Sequence, residues 1–207
     1  MIGINEFFDD YSTNQYSKIY QHDFVSLTWY YDWVKKSDNY HKNKNTFYYT
    51  VLIKNIFDYY LWMLDLSIYI LKEYVNYYDY PHISHFSFMK KEYFSNSNIF
   101  IDVKEYDIAE YLKNLFWSDN KDAFYYQKLL NYILKEYPSL NYNLIFARLL
   151  YPNFFFNIIN NNIENSDNQI KEMLLRIHDY EKFILFVGKI LLKNNKIKNN
   201  AVVALFE

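Results

Sequence analysis

Apolar residues in this chain recur at intervals of three and four over long stretches, so it reads as a succession of amphipathic helices. The clearest pattern follows Thr46 and runs through Val51, Leu52, Ile56, Tyr59, Tyr60, Met63, Leu64, Ser67, Ile70, Leu71 and Tyr74. Thr46 suits its N-cap, where a hydroxyl accepts from a free N–H of the first turn. About 28 residues at 1.5 Å each give roughly 40 Å, enough for the spine of a helical domain. Asp107, followed three residues later by Glu110, resembles a capping box that opens a helix carrying Ile108, Tyr111, Leu112, Leu115 and Phe116. Further helices are expected over 121–137, stopped by Pro138, and over 141–151, with Ser139 as cap. Pro152 interrupts the latter, since proline lacks the N–H that the preceding turn needs, and Phe154, Phe155, Ile158 and Ile159 continue the apolar face. A last long helix is expected over 169–193. Between 24 and 34 apolar residues fit both periods, with Trp29 and Trp33 four apart, and 37–45 (SDNYHKNKN) has the composition of a loop. Ile99, Phe100 and Ile101, closed by Asp102, form the best strand-sized run. The expected fold is therefore mostly α, a helical bundle with at most a small β-hairpin near residues 83–102. It divides into an N-terminal extension with a short helix over 1–45, a helical domain over 46–193 and a fraying tail over 194–207 with apolar content for one turn or strand.

Composition changes this picture little. The 207 residues suit one domain, and a hydrophobic content of 51% with 22% charge is that of a globular chain. Aromatic residues make up 23%, with 25 Tyr and 18 Phe. Tyr, Phe, Ile, Asn and Lys use A/T-rich codons, so an A/T-rich genome explains the excess without any base-stacking surface. A net charge of −2 and only two arginines, Arg148 and Arg176, give no clustered basic excess, and no nucleic-acid partner is expected. The absence of cysteine excludes disulfides, thiolate catalysis and cysteine-ligated zinc. The start, MIGINEFFDDYS, lacks a basic segment followed by an apolar one, so no signal peptide is read, and Asp65 interrupts the most apolar helix. No membrane span and a cytoplasmic location are the expectations.

Candidate chemistry centres on residues 79–107. His82 and His85 are three apart and, with Asp79 or Asp102, have the donors of a metal site; satisfied loop histidines are the simpler reading. Ser84, His85 and Asp102 hold the residue types of a hydrolytic triad but lack a nucleophile elbow. His178, beside Asp179 and Glu181, reads as a solvated or capping helix residue. Gly3 and Gly188 are the only glycines, so a glycine-rich phosphate loop cannot be built.

The order of blocks carries a family resemblance. Tyr59-Tyr60 through Leu64 on a long helix is followed by Ile83-Ser84-His85 and Ile101-Asp102. Then come Asp107-Ile108-Ala109-Glu110-Tyr111-Leu112 and Ala147-Arg148-Leu149-Leu150-Tyr151-Pro152 with Phe154-Phe155-Phe156. This resembles the C-terminal lobe of spore-coat kinase-like proteins, which are similar to aminoglycoside and choline phosphotransferases, over roughly residues 46–190. The resemblance implies a catalytic loop at His85, with Asp102 as the magnesium-holding acid and Asp107 opening the next helix. It also implies what is lost. Ser87 stands where the catalytic aspartate is expected and Glu92 at the asparagine's spacing. Phosphoryl transfer relies on positioning and charge neutralisation, and Ser87 has no charge to accept a proton. One carboxylate, Asp102, is a thin magnesium site, and too few residues precede the helical part for a nucleotide-binding lobe. On that reading the site His85, Ser87, Glu92, Asp102 and Asp107 is degenerate. There is no catalytic residue and no resident cofactor, magnesium on Asp102 being the one candidate, and the chain is a binding or scaffold protein with a protein partner or self-association. Kinase ancestry further requires the Ile101 strand to pair with one near Ile83 and Asp102 to face His85. Two other readings stay open: a phosphotransferase subunit whose partner chain supplies the nucleotide lobe, and a small helical viral or mobile-element protein unrelated to kinases.

Overall fold

The computed structural model describes residues 28–47, 51–74, 82–85, 99–102, 104–118, 122–161 and 167–206. In chain order these form α1 (Thr28–Asn43), a 3₁₀ turn (Lys44–Phe47), α2 (Val51–Lys72), β1 (His82–His85), β2 (Ile99–Asp102), α3 (Lys104–Ser118), α4 (Ala123–Glu136), α5 (Tyr142–Leu150), α6 (Asn153–Asn161), α7 (Asp167–Lys193) and the short α8 (Asn200–Val203). The fold is a mostly helical bundle.

Its centre is α5, in which Leu144, Phe146, Ala147 and Leu149 are inaccessible to solvent. The helices in closest company with it are α3 and α2, and α7 completes the enclosure. From α2 the inner face is Ile53, Phe57, Leu61, Leu64 and Leu71, at helical spacing; the first three stand outside the series expected from the sequence, and Tyr59 of that series is exposed. Aromatic rings interlock rather than merely fill. Tyr60 stacks on Phe155 at 4.0 Å and Tyr40 on Phe156 at 4.1 Å between centroids, and Phe57 meets both phenylalanines edge-on. Each such pair adds about 1 kcal/mol to the burial of its area.

Several local expectations are corrected. The polar run over 37–45 is largely helix, because Trp33, Ser37 and Tyr40 fall at i, i+4 and i+7 and are all buried. Ser37 donates to Asp65 on α2, which satisfies the hydroxyl and pins α1 to the spine. Thr46 lies inside the 3₁₀ turn rather than at the cap of α2. α3 begins at Lys104, so Asp107 sits within its first turn, fully buried, instead of capping it. There it lies near the positive end of the helix dipole. Asn141, not Ser139, caps α5, its side chain accepting from Asn143 N at 3.2 Å. Asp122 caps α4 through Tyr125 N at 2.8 Å. Pro152 breaks the chain as its chemistry requires, α5 ending at Leu150 and α6 starting at Asn153.

The packed core also extends past both domain limits drawn from the sequence. Trp33 and Tyr40 of α1 belong to the same buried cluster as α2, α5 and α6. At the other end Ile197 and Val202 are buried, and Asn199 caps α8 by accepting from Ala201 N and Val202 N. The tail is docked, not frayed.

Candidate functional site

β1 and β2 pair antiparallel, with His82 opposite Asp102, Ile83 opposite Ile101, Ser84 opposite Phe100 and His85 opposite Ile99. The strand near Ile83 thus pairs with that of Ile101. Asp102 shares its rung with His82, however, and His85 stands three rungs along, about 10 Å at strand spacing. Asp79, Ser87 and Glu92 lie outside the described residues. Among the described residues no three metal-ligating side chains come together. His178 is exposed and faces Glu181 one turn on, at 3.3 Å.

What the fold does bring together is a different set of charges. The Asp107–Leu112 block lies on α3 and the Ala147–Leu150 block on α5, and these two helices form the most extensive helix–helix contact. Across it Arg148 Nε donates to Glu110 Oε1 at 2.7 Å, and Lys113 Nζ lies 3.8 Å from the same oxygen. Arg148 also covers the Tyr106 ring at 4.3 Å and the Trp33 ring at 5.4 Å. Trp33 in turn stacks on Tyr151 at 4.1 Å, and Lys113 sits 5.7 Å from the centre of that Tyr151 ring. One turn earlier on α3, Glu105 accepts from the backbone N–H of Asn141 at 2.7 Å, tying the start of α3 to the cap of α5.

The electrostatics follow from burial. Lys113 is 3% exposed. Loss of hydration pushes its ammonium down to about 8, which the Glu110 charge opposes and the Arg148 charge reinforces. Burial pushes the Glu110 carboxyl up, but Lys113 and Arg148 outweigh it and hold the group below the usual carboxylate range. Burial raises the Tyr151 and Tyr180 phenols, and Tyr180 donates to Leu149 O at 3.0 Å. Two cations share one carboxylate in a ring-lined, water-poor knot. Lys113 and the Glu110–Arg148 pair were not singled out by sequence reading. The available signals were the i, i+3 spacing of Glu110 and Lys113 and the scarcity of arginine, which makes each one worth tracing to an acid.

A second arrangement lies on the opposite side of α2. Tyr59, Trp62 and Tyr69 face solvent at 46%, 48% and 54% exposure, and the partly buried Leu66 lies in the same row. The Tyr59 and Trp62 rings sit 6.0 Å apart. Exposed single aromatics are ordinary, and here three of them form one accessible row along a helix.

The chain matches no protein-family model, no curated protein and no solved structure. Within the described residues, no helix is long and apolar enough to cross a membrane.

Proposed function

We propose that this chain is a non-catalytic helical binding module; of the two conditions that kinase ancestry sets, the pairing of the Ile83 and Ile101 strands is met and Asp102 opposite His85 is not. The observation that carries the reading is the solvent-facing row Tyr59, Trp62 and Tyr69 on α2. Large, rigid aromatic side chains bury much area for little lost side-chain freedom, which is why they anchor interfaces. The buried charges argue in the same direction. Glu110, Lys113 and Arg148 are turned toward one another and wrapped by Trp33, Tyr106 and Tyr151, an arrangement suited to holding α3 against α5. Serine at 87 and glutamate at 92, with two glycines in the whole chain, supply the sequence side of the argument.

Thermal-shift titration with ATP, GTP and magnesium tests it. A ligand at about one hundred times its Kd adds about 2.7 kcal/mol of stability, an easily measured shift. No saturable shift is expected. Saturable stabilisation that Asp102→Ala abolishes would overturn the reading in favour of a nucleotide-binding subunit.

A further inference from the structure

The outward row of α2 is self-complementary, and we propose that it pairs with the same row of a second copy, the two helices lying antiparallel about a two-fold axis. This rests on the binding-module reading and supplies that module's partner. Tyr59, Trp62, Leu66 and Tyr69 are spaced three, four and three residues apart, the seam spacing of helices that pack side by side. That spacing reads the same in both directions. An antiparallel copy therefore sets Tyr59 beside the partner's Tyr69 and Trp62 beside the partner's Leu66, and the symmetry repeats both contacts.

The rim of the row selects the same geometry. Asp58, Asp65 and Lys72 follow one another at intervals of seven along one edge, all on the accessible side of α2. In the antiparallel arrangement Asp58 meets the partner's Lys72, twice over. A parallel arrangement would instead turn this charged edge toward the partner's Met63 and Ile70 edge, which offers no counter-charge. Asp65, closest to the axis, is already occupied by Ser37 Oγ and by His41 Nε2 at 2.9 Å, which moderates its encounter with its own image. The Lys44–Asp58 pair at 3.2 Å is exposed and weak, so Asp58 is free to exchange partners. On the other edge Met63 and Ile70 are buried in the chain's own core, leaving the pairing a single charged rim.

Size sets the strength. Three half-exposed aromatics offer roughly 300 Å² per copy, well short of the roughly 800 Å² per partner of a stable complex. The dimer is therefore weak and concentration-dependent.

Sedimentation velocity on the full chain from about 10 µM to about 1 mM is the test, with a reversible monomer–dimer transition expected near about 100 µM. Trp62→Glu weakens association by at least roughly tenfold. Asp58→Lys and Lys72→Asp each weaken it by about fivefold. Mixing these two variants restores wild-type strength, because every heterodimer then carries two opposite-charge pairs. Both charge variants lie at exposed positions, so the mixing experiment decides even if Trp62→Glu impairs folding. A monomer throughout, a dimer that survives Trp62→Glu, or single charge variants that stay weak on mixing each overturn the proposal. A monomer with no nucleotide response would remove the dimer and leave the binding module standing, whereas nucleotide stabilisation would remove the module whatever the dimer does.

Discussion

Two faces of the same bundle handle their problematic residues in opposite ways. Where α3 meets α5, three charged side chains are taken out of water and made to satisfy one another. On the outer side of α2, large aromatic rings that would gain from burial are left in water. Desolvating an ion costs several kcal/mol, and a well-made pair returns most of that without a surplus. The α3–α5 knot is thus poor evidence of stabilisation for its own sake, and its value lies in fixing how the two helices register. The aromatic row costs little where it stands, and on the binding-module proposal its value is realised when a partner covers it. The first face depends on its own charges; the second, on that proposal, depends on a partner.

The largest effect is expected from breaking that set of charges. Glu110→Leu removes the carboxylate that Arg148 and Lys113 share. A loss of about 3–5 kcal/mol in urea denaturation is expected, since a buried charge is stranded rather than a bond merely removed. Replacing the whole knot by apolar residues, Glu110→Leu, Lys113→Met and Arg148→Met together, should recover most of it. If the triple variant is no better than the single one, the charges stabilise as well as register, and the contrast with the α2 face is weaker than stated.

The two faces also differ in how readily they could be read from sequence. The row on α2 was only partly legible: Tyr59 fell in the apolar series and Trp62 and Tyr69 did not stand out, although a helix holding these as well as Phe57, Leu61 and Leu64 has more apolar residues than one face can bury. The knot was not legible. The runs holding Glu110 and Arg148 stand out as blocks, but 38 residues separate them, and only packing reveals that they meet. Asp107 was legible as an acid near a helix start, yet the helix begins three residues sooner, since the preceding strand leads into it almost directly. The C-terminal half of α1 was hidden because its outward face is Asn, Asp, His and Lys, and its inward face shows only Ser37 and Tyr40. The resemblance to phosphotransferase lobes placed Asp102 against His85, while strand register, which one residue of slip resets, pairs it with His82.

Next in size is a pH effect that only the knot should show. The Lys113 ammonium titrates at about 8 in the folded chain against an ordinary 10.5. Below about 8 it is charged in both states. Between about 8 and 10 the unfolded chain holds the proton that the folded one has released, so stability rises with pH, by at most about 1.4 kcal/mol per unit. Above about 10 the sign reverses. Burial raises the Tyr60, Tyr151 and Tyr180 phenols, and Tyr142 is pushed up to about 12, so these keep protons that unfolding would release. Urea midpoints between pH 7 and 11 should pass through a maximum. Lys113→Met should remove the rise and keep the fall; a rise that persists in this variant would place the titrating group elsewhere.

A smaller effect is expected where the interior holds no charge at all. A methyl group at Gly188 on α7 would run into the Phe206 ring and come within 2.9 Å of Phe146 Cε2. Phe206 is partly buried against the core, so its ring must shift to admit the methyl group. Gly188→Ala should cost about 1 kcal/mol net, the displaced ring outweighing the roughly 1 kcal/mol that alanine gains as a helix former. Measured against Phe206→Ala alone, adding Gly188→Ala should cost less than it does in the wild type, the Phe146 contact at 2.9 Å remaining. A neighbouring interior contact without charge is thus adjustable where the knot is not.

The smallest effect belongs to the α2 face and decides whether it is a face at all. Trp62→Ser and Tyr69→Ser remove rings that are about half exposed, on positions whose neighbours along the row are themselves accessible. Each should change the stability of the monomer by no more than about 0.5 kcal/mol, measured by urea denaturation at low micromolar concentration where association is absent. The two changes should also add, since seven residues along the helix, about 10 Å, separate them. A loss of about 2 kcal/mol or more for either would mean that the chain itself covers these rings. The row would then belong to the monomer's core, and the opposition between a completed interior and an uncompleted surface would fail.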